Sequence, residues 1–202
     1  MLDGQPHGFI TVINPSPEKL HQAEELLTAL TRFFTILLRN RDMMQRLDRL
    51  SKSDQLTGLL NRRGFKDCLA SLPEGQHFAF IFGDLNELKE TNDTLGHEAG
   101  DQLLCAAAQI FLHVGHEGFI FRMGGDEFLV IMGRENAKHS EERIAKMMKD
   151  AKNLSSELHY PLEFAYGIAD ASEAENQDPE EVFRIADHRM YEKKKTMKSA
   201  RI

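Results

Sequence analysis

Cysteine is scarce in this chain of 202 residues: only Cys68 and Cys105 occur. Both fall in stretches that read as helix, where a lone thiol behaves as a small buried apolar side chain rather than a redox group. The nine histidines form no His-x-x-x-His pair and no Cys-x-x-Cys accompanies them, which argues against a zinc site. No apolar run reaches the length of a membrane span, and no charged-then-apolar signal begins the chain, so the expected location is the cytoplasm. Positive charge is also short. Against 32 Asp and Glu stand 25 Lys and Arg, a net charge of −7, which argues against nucleic acid as a partner. Apolar content of 41% and charged content of 28% are ordinary for a globular protein, and the length allows one domain plus an appendage.

What is present is acidic and local. Arg122-Met123-Gly124-Gly125-Asp126-Glu127-Phe128 lies between two stretches that read as strands, Gly118–Met123 and Phe128–Met132. Gly124 and Gly125 supply the tolerance of positive φ that a tight turn demands. By itself such a run is ordinary turn chemistry. A second element changes the reading. Phe78–Phe82 reads as a buried strand, and it ends in Gly83-Asp84-Leu85-Asn86, followed by Glu87-Leu88-Lys89-Glu90-Thr91-Asn92-Asp93. An aspartate at the C-terminal end of a central strand is a common ligand position. Asp84 and Asp126 on adjacent strands would share a pair of Mg²⁺ ions, which take oxygen ligands and keep phosphate oxygens in their shell.

With these motifs in place the chain resembles the GGDEF domains, the diguanylate cyclases of bacterial signalling. The resemblance covers about residues 50–198. It includes Asp54-Gln55-Leu56-Thr57-Gly58-Leu59-Leu60-Asn61-Arg62-Arg63, then Gly83 through Lys89, Asn92-Asp93, Gly96-His97 and Gly100-Asp101. It continues through the signature turn and Tyr166-Gly167-Ile168-Ala169 to Ala186-Asp187, Met190-Tyr191 and Lys194.

The resemblance implies condensation of two GTP molecules into cyclic di-GMP, with two Mg²⁺ (Mn²⁺ also suits) per active site. It implies Asp84 and Asp126 as metal carboxylates, the Leu85 carbonyl completing the shell, and Glu127 supporting the metals or helping to deprotonate the 3′-hydroxyl. Asn92 and Asp101 would read guanine. Lys89, Lys194 and the backbone around Glu87 and Leu88 would hold phosphates, beside the turn glycines Gly124 and Gly125. Guanine offers N1–H and N2–H₂ donors that an Asp accepts, and adenine would leave those acceptors unpaired. Some relatives with altered base choice carry Ser at the position of Asp101, so Asp101 favours GTP over a mixed purine product. A catalytically silent relative that binds GTP as a sensor or dimeric scaffold is the alternative, against which the retained acids argue.

Three departures from the family pattern stand out. Gly115-His116-Glu117-Gly118 occupies the place of the inhibitory product-binding Arg-x-x-Asp. Asn86 and Leu88 stand where Asp and Phe are frequent. Met197-Lys198-Ser199 replaces a late Gly-Arg-Asn, leaving Lys198 as a point charge without the planar fork of arginine.

Upstream, residues 9–14 read as a β-branched strand. Ser16, Pro17 and Glu18 then announce a helix running to about Leu50. Leu20, Leu27 and Phe34, interleaved with Ala23, Leu30, Leu37 and Met44, form a coiled-coil seam. This leader resembles the tail of a GAF-type sensor domain entering a signalling helix. The expected organisation is residues 1–15 as a sensor remnant or leader strand, 16–52 as a dimerising helix, and 53–202 as the catalytic domain. A helix packed on its own domain is the plainer alternative. A homodimer is expected because the reaction needs two half-sites and one chain carries one signature.

The catalytic part reads as helix 61–71, strand 78–84, helices 87–94 and 98–113, hairpin strands 119–123 and 127–132, helix 138–157, strand 162–169 and helix 179–195. The expected class is α+β, a mixed central sheet surrounded by helices, palm-like by resemblance to nucleotide cyclases. With neither charged residue of the inhibitory motif present, cyclic di-GMP added to progress curves of GTP consumption should leave the rate unchanged. Potent noncompetitive inhibition would contradict this.

Overall fold

The computed structural model describes residues 11, 13, 16, 20–72, 77–115, 118–133, 139–158 and 161–200. The chain divides into two units, Met1–Ser51 and Lys52–Ile202. The first is dominated by helix α1, Leu20–Lys52, about 50 Å long at 1.5 Å per residue. Phe34, Leu37 and Met44 of the expected seam are exposed along it, as are Leu26, Phe33, Ile36, Met43, Leu47 and Leu50. The strand expected at 9–14 falls largely outside the described residues, as do Pro17 and Glu18 of the expected helix start.

The second unit is a five-stranded mixed sheet in the order β1-β3-β4-β2-β5. The strands are β1 (Leu60–Asn61), β2 (Phe78–Leu85), β3 (Phe119–Gly124), β4 (Glu127–Gly133) and β5 (Phe164–Asp170). Only β1 with β3 is parallel; β4 pairs antiparallel with β3 and β2, and β2 antiparallel with β5. The helices are α2 (Arg62–Ser71), α3 (Leu88–Leu95), α4 (His97–Val114), α5 (Ser140–Leu158) and α6 (Pro179–Ser199). Two short 3-10 turns, Ala171–Glu173 and Glu175–Gln177, lead from β5 to α6.

Every residue of β2 is buried, as the unbroken Phe/Ile run requires of a strand covered on both faces. Its alternation sorts the core. Ala79, Ile81 and Leu85 face α4 and α5, where Phe111 stacks on Phe128 with ring centroids 5.0 Å apart. Phe78, Phe80 and Phe82 face α2 and α6 with Phe65, Val182, Ala186 and Met190. Asp84 follows Phe82 by two residues and therefore belongs to the α6 face.

Helix α6 starts cleanly, with Asp178 accepting from Glu180 N–H and Pro179 in the first turn. It lies against β5 at Gly167, where an added Cβ would meet Ala186 O and Met190 N, both backbone atoms. The missing side chain lets helix and strand backbones touch.

Some expectations shift. The two-residue strand β1 had no sequence signal, because its pairing is set by the register of β3. Only Gly125 of the signature pair has positive φ, at 41°; Gly124 is the last residue of β3. Cys68 and Cys105 are partly rather than fully buried, since each sits at the flank of its helix. Strand β5 begins at Phe164 rather than 162, and α5 at Ser140 rather than 138. Gly167→Ala should lower stability by about 1–3 kcal/mol in urea denaturation, because the obstructing atoms are backbone and cannot swing aside. An unchanged midpoint would show that α6 is not seated through this glycine.

Candidate active site

The end of β2 is where the sheet stops being apolar. Asp84 is only 4% exposed and pairs in register with Glu127 at the start of β4. Asp126 joins them because Leu85 N–H donates to its carbonyl at 2.8 Å, tying the hairpin turn to the strand end. One cation sits among the acids. Lys194 Nζ, from α6, donates to Asp84 Oδ2 at 2.6 Å and lies 4.0 Å from Asp126 Oδ2. The two aspartates thus converge on one ammonium.

Asp84 is incompletely satisfied. Its Oδ1 is buried and has no hydrogen-bond partner, an arrangement that costs free energy unless something else supplies positive charge. Burial pushes the Asp84 carboxyl above its usual range and the Asp126 charge adds to this, against the opposing hydrogen bond from Lys194. Glu127 is raised as well, first by burial and then by the charges of Asp126, Asp84 and Asp187.

No group of three or more His, Cys, Asp or Glu side chains closes on a single point among the described residues. The donor set nevertheless fits a hard divalent cation. Two carboxylates and a strand-end carbonyl are all-oxygen ligands, and one buried carboxylate oxygen lacks a partner.

The turn that presents Asp126 is clamped. Arg122 donates from Nε and NH2 to the Gly125 carbonyl, at 3.1 and 2.8 Å. Its NH1 reaches both oxygens of Asp54, at 3.0 and 3.2 Å. Asp54 Oδ1 also accepts from the backbone N–H and hydroxyl of Thr57. Burial acts to raise the Asp54 carboxyl, but the bonds from Thr57 and Arg122 prevail and hold it low. Two sequence signatures 68 positions apart therefore form one hydrogen-bonded body.

Beside the acids opens a cleft of about 200 Å³. Leu85 through Lys89 form one wall, and Lys194, Met197 and Lys198 of α6 the other. Glu87 adopts φ 63° immediately before α3, a strained conformation for a non-glycine residue that is held at functional turns. It precedes the first turn of α3, whose N–H groups have no partners within the helix, and Leu88 and Lys89 of that turn line the cleft. Asp126 lines the same cleft.

Asn92 and Asp101 come from two helices. Asn92 is half-buried on α3 and Asp101 exposed on α4. Asn92 Oδ1 occupies the space a Cβ of Gly100 would need, which brings the Asn92 amide against the residue preceding Asp101. Sequence reasoning placed no role on Asn86, Arg122, Asp187 or Met197. The Arg122–Asp54 contact is invisible in a single sequence because nothing in either run names the other. His116 and Glu117, at the place of the inhibitory motif, lie outside the described residues. Their flanking Gly118 fits so tightly that a Cβ there would strike the Ile131 carbonyl.

The model of a diguanylate cyclase GGDEF domain matches residues 51–200. Diguanylate cyclase DgcN of Escherichia coli is 30% identical over 155 residues, covering 72% of this chain and 38% of that protein. Diguanylate cyclase DgcP of the same organism is 34% identical, covering 72% and 45%. The chain thus spans less than half the length of these relatives. Among solved structures, the coiled coil and GGDEF domain of DgcB from Caulobacter crescentus in complex with c-di-GMP superposes with a TM-score of 0.73. It is 26% identical, covering 85% of this chain and 95% of that one.

A raised Glu127 pKa has a defined consequence for the metal-free protein. The group favours folding fully below its unfolded pKa, and that contribution is lost as pH rises through the higher folded value. With chelator present, the melting temperature of Glu127→Gln minus that of the wild type should therefore grow as pH rises from about 4 toward neutrality. A difference independent of pH would show that Glu127 is not perturbed by its neighbours.

Proposed function

The chain belongs to the GGDEF family of diguanylate cyclase domains, and from that premise we propose that it condenses two GTP into cyclic di-GMP and two pyrophosphates. The observation that carries this reading is the convergence of Asp84 and Asp126 on Lys194 beside the cleft, with Asp84 Oδ1 left unpartnered. A silent domain has no need to keep three acids in so costly an arrangement.

In this reading the Asp84 and Asp126 carboxylates and the Leu85 carbonyl hold Mg²⁺ or Mn²⁺, two ions per site. When bound, the ions polarise the α-phosphate and lower the effective pKa of the attacking hydroxyl. The chain does the rest. Lys89, Lys194 and the N–H groups following Glu87 hold the triphosphate; Asn92 and Asp101 accept the guanine donors. Each 3′-oxygen bonds to the α-phosphorus of the other GTP, the bond to the β-phosphate breaks, and pyrophosphate leaves. Glu127 supports the ions or helps to take the hydroxyl proton. Gly124 and Gly125 leave open space beside the turn, where among the described residues no atom lies within 4 Å of a Cβ position, so the second nucleotide can approach.

One chain offers one half-site, so the active form is a homodimer. The exposed Phe33, Phe34, Leu37, Met44 and Leu47 of α1 support pairing through that helix, since apolar side chains at this density call for a partner. The resemblance to a DgcB structure that includes a coiled coil supports the same arrangement. No helix among the described residues is long and apolar enough to cross a membrane, which accords with a cytoplasmic enzyme.

Asp126→Ala should lower turnover of GTP by on the order of a hundredfold or more, read as cyclic di-GMP by mass. Asp84→Ala should in addition abolish the thermal stabilisation that Mn²⁺ gives the nucleotide-free protein. Retained activity in both variants would remove the metal assignment. Gly100→Ala tests base recognition separately. The new methyl displaces the Asn92 amide, so the fold should hold while the KM for GTP rises about tenfold, the worth of one good hydrogen bond. An unchanged KM would take Asn92 out of its role.

A further inference from the structure

Arg62 is an exposed guanidinium at the active-site end of the sheet to which no role has been given. Strand β1 runs parallel to β3 with Asn61 opposite Arg122, so Arg62 leaves the sheet beside Met123 and Gly124, at the foot of the Gly-Gly-Asp-Glu turn. Its backbone is held there. Asn61 caps α2, its Oδ1 accepting from Arg63 N–H and Gly64 N–H at 2.9 and 3.1 Å, while its Nδ2 donates to the Ser53 carbonyl at 3.1 Å. Ser53 adjoins Asp54, which is tied through Arg122 to the Gly125 carbonyl. Arg62 and Asp126 therefore stand on one hydrogen-bonded frame.

Nothing local explains a cation at this position. The first turn of α2 holds no acid, and a helix dipole disfavours positive charge at its N-terminus. Arg62 makes no hydrogen bond or ion pair among the described residues. Nor does it serve the cleft of its own chain. Strands β3 and β4 stand between β1 and the strand that carries Asp84, and Arg62 is not part of the cleft lining. It faces the other side of the hairpin, where Gly124 and Gly125 leave open space among the described residues. In the dimeric reading, what arrives on that side is the nucleotide held by the second chain.

We propose that Arg62 is a catalytic residue acting across the dimer, its guanidinium donating to the α-phosphate of the nucleotide bound by the other chain. The assignment rests on the GTP and homodimer readings above. In the step it serves, the 3′-oxygen bonds to the α-phosphorus, the bond to the bridging oxygen of the β-phosphate breaks, and pyrophosphate leaves with that electron pair. The hydroxyl proton passes to Glu127 or to water, and Arg62 stays protonated throughout. The negative charge that gathers on the α-phosphate oxygens meets a planar fork of donors, which suits phosphate better than a point charge.

The test uses the full chain. Arg62→Ala should lower the rate of cyclic di-GMP formation at saturating GTP by about a hundredfold, and Arg62→Lys by less. Affinity for 3′-deoxy-GTP, which lacks the attacking hydroxyl, should change by less than about threefold in calorimetric titration with Mg²⁺, because the contact strengthens only as charge develops. A mixed dimer of Arg62→Ala and Asp126→Ala chains, co-expressed with different tags and purified through both, separates action within a chain from action across the dimer. In one half of it, intact Asp84 and Asp126 hold GTP while an intact Arg62 comes from the other chain. The linear dinucleotide pppGpG should then form at least about tenfold faster than from either variant alone. An unchanged rate for Arg62→Ala, a loss of 3′-deoxy-GTP affinity as large as the loss of rate, or a mixed dimer no faster than its parents would overturn this assignment alone. Failure of the wild type to form any guanine dinucleotide would overturn the GTP reading and this assignment with it.

Discussion

A single carboxylate, Asp84, is taken out of water at the end of the most buried strand of the sheet and given one ammonium as a partner. Burying such a group costs several kcal/mol unless it is paired and fully hydrogen-bonded, and here one of its oxygens remains unmatched. The rest of the catalytic unit is organised to hold that costly arrangement. Phe78, Phe80 and Phe82 fix β2 between two helical layers. Gly167 lets α6 approach until Lys194 reaches the strand end. Asp126 and Glu127 are drawn in by the pairing of β4 with β2. Their charges oppose one another, so the pocket is destabilised in the absence of added positive charge, which is the usual condition of a site built to bind cations.

The second constraint is rigidity of the turn. A two-residue hairpin loop presenting an aspartate would by itself move freely. Arg122 removes that freedom by holding the Gly125 carbonyl while its guanidinium spans the Asp54 carboxylate. A planar fork with several fixed donors can serve both acceptors at once, as a lysine ammonium could not in the same geometry. The bulge between Arg122 and Gly124 re-aims the end of β3 just before the turn. The opening run at Asp54 is thereby part of the framework that holds the turn.

Much of this was legible in the residues. The buried run Phe78–Phe82 and the Gly-Gly-Asp-Glu turn each carry a local signal, and the strands they define appear within about two residues of their expected bounds, whereas the last helix starts at 179 as expected but runs on to Ser199, four residues past its expected end. The less legible features are non-local. Strand β1 exists only because β3 offers an edge. The Arg122–Asp54 clamp and the Asn86–Met197 contact join positions 68 and 111 residues apart, and no period or propensity encodes such a pairing. Local turn logic also misplaced the positive φ on both glycines, because it could not foresee that Gly124 completes the ladder opposite Glu127.

Charge constrains how the cleft could receive the polyanion of the proposed reading. The chain carries a net charge of −7, and its deepest site adds Asp84, Asp126 and Glu127 within one corner of the sheet. A triphosphate approaching that corner without cations meets repulsion at short range, where the low local dielectric amplifies it. Three lysines line the cleft, yet Lys194 is already bound to Asp84, so its charge is largely cancelled. The remaining recognition must come from groups that add no negative charge. Backbone N–H groups at the start of α3 are of that kind. On the proposed reading, a donor-rich wall facing an acidic one would let an acidic protein admit a polyanion together with its cations, with Lys194 contacting both sides.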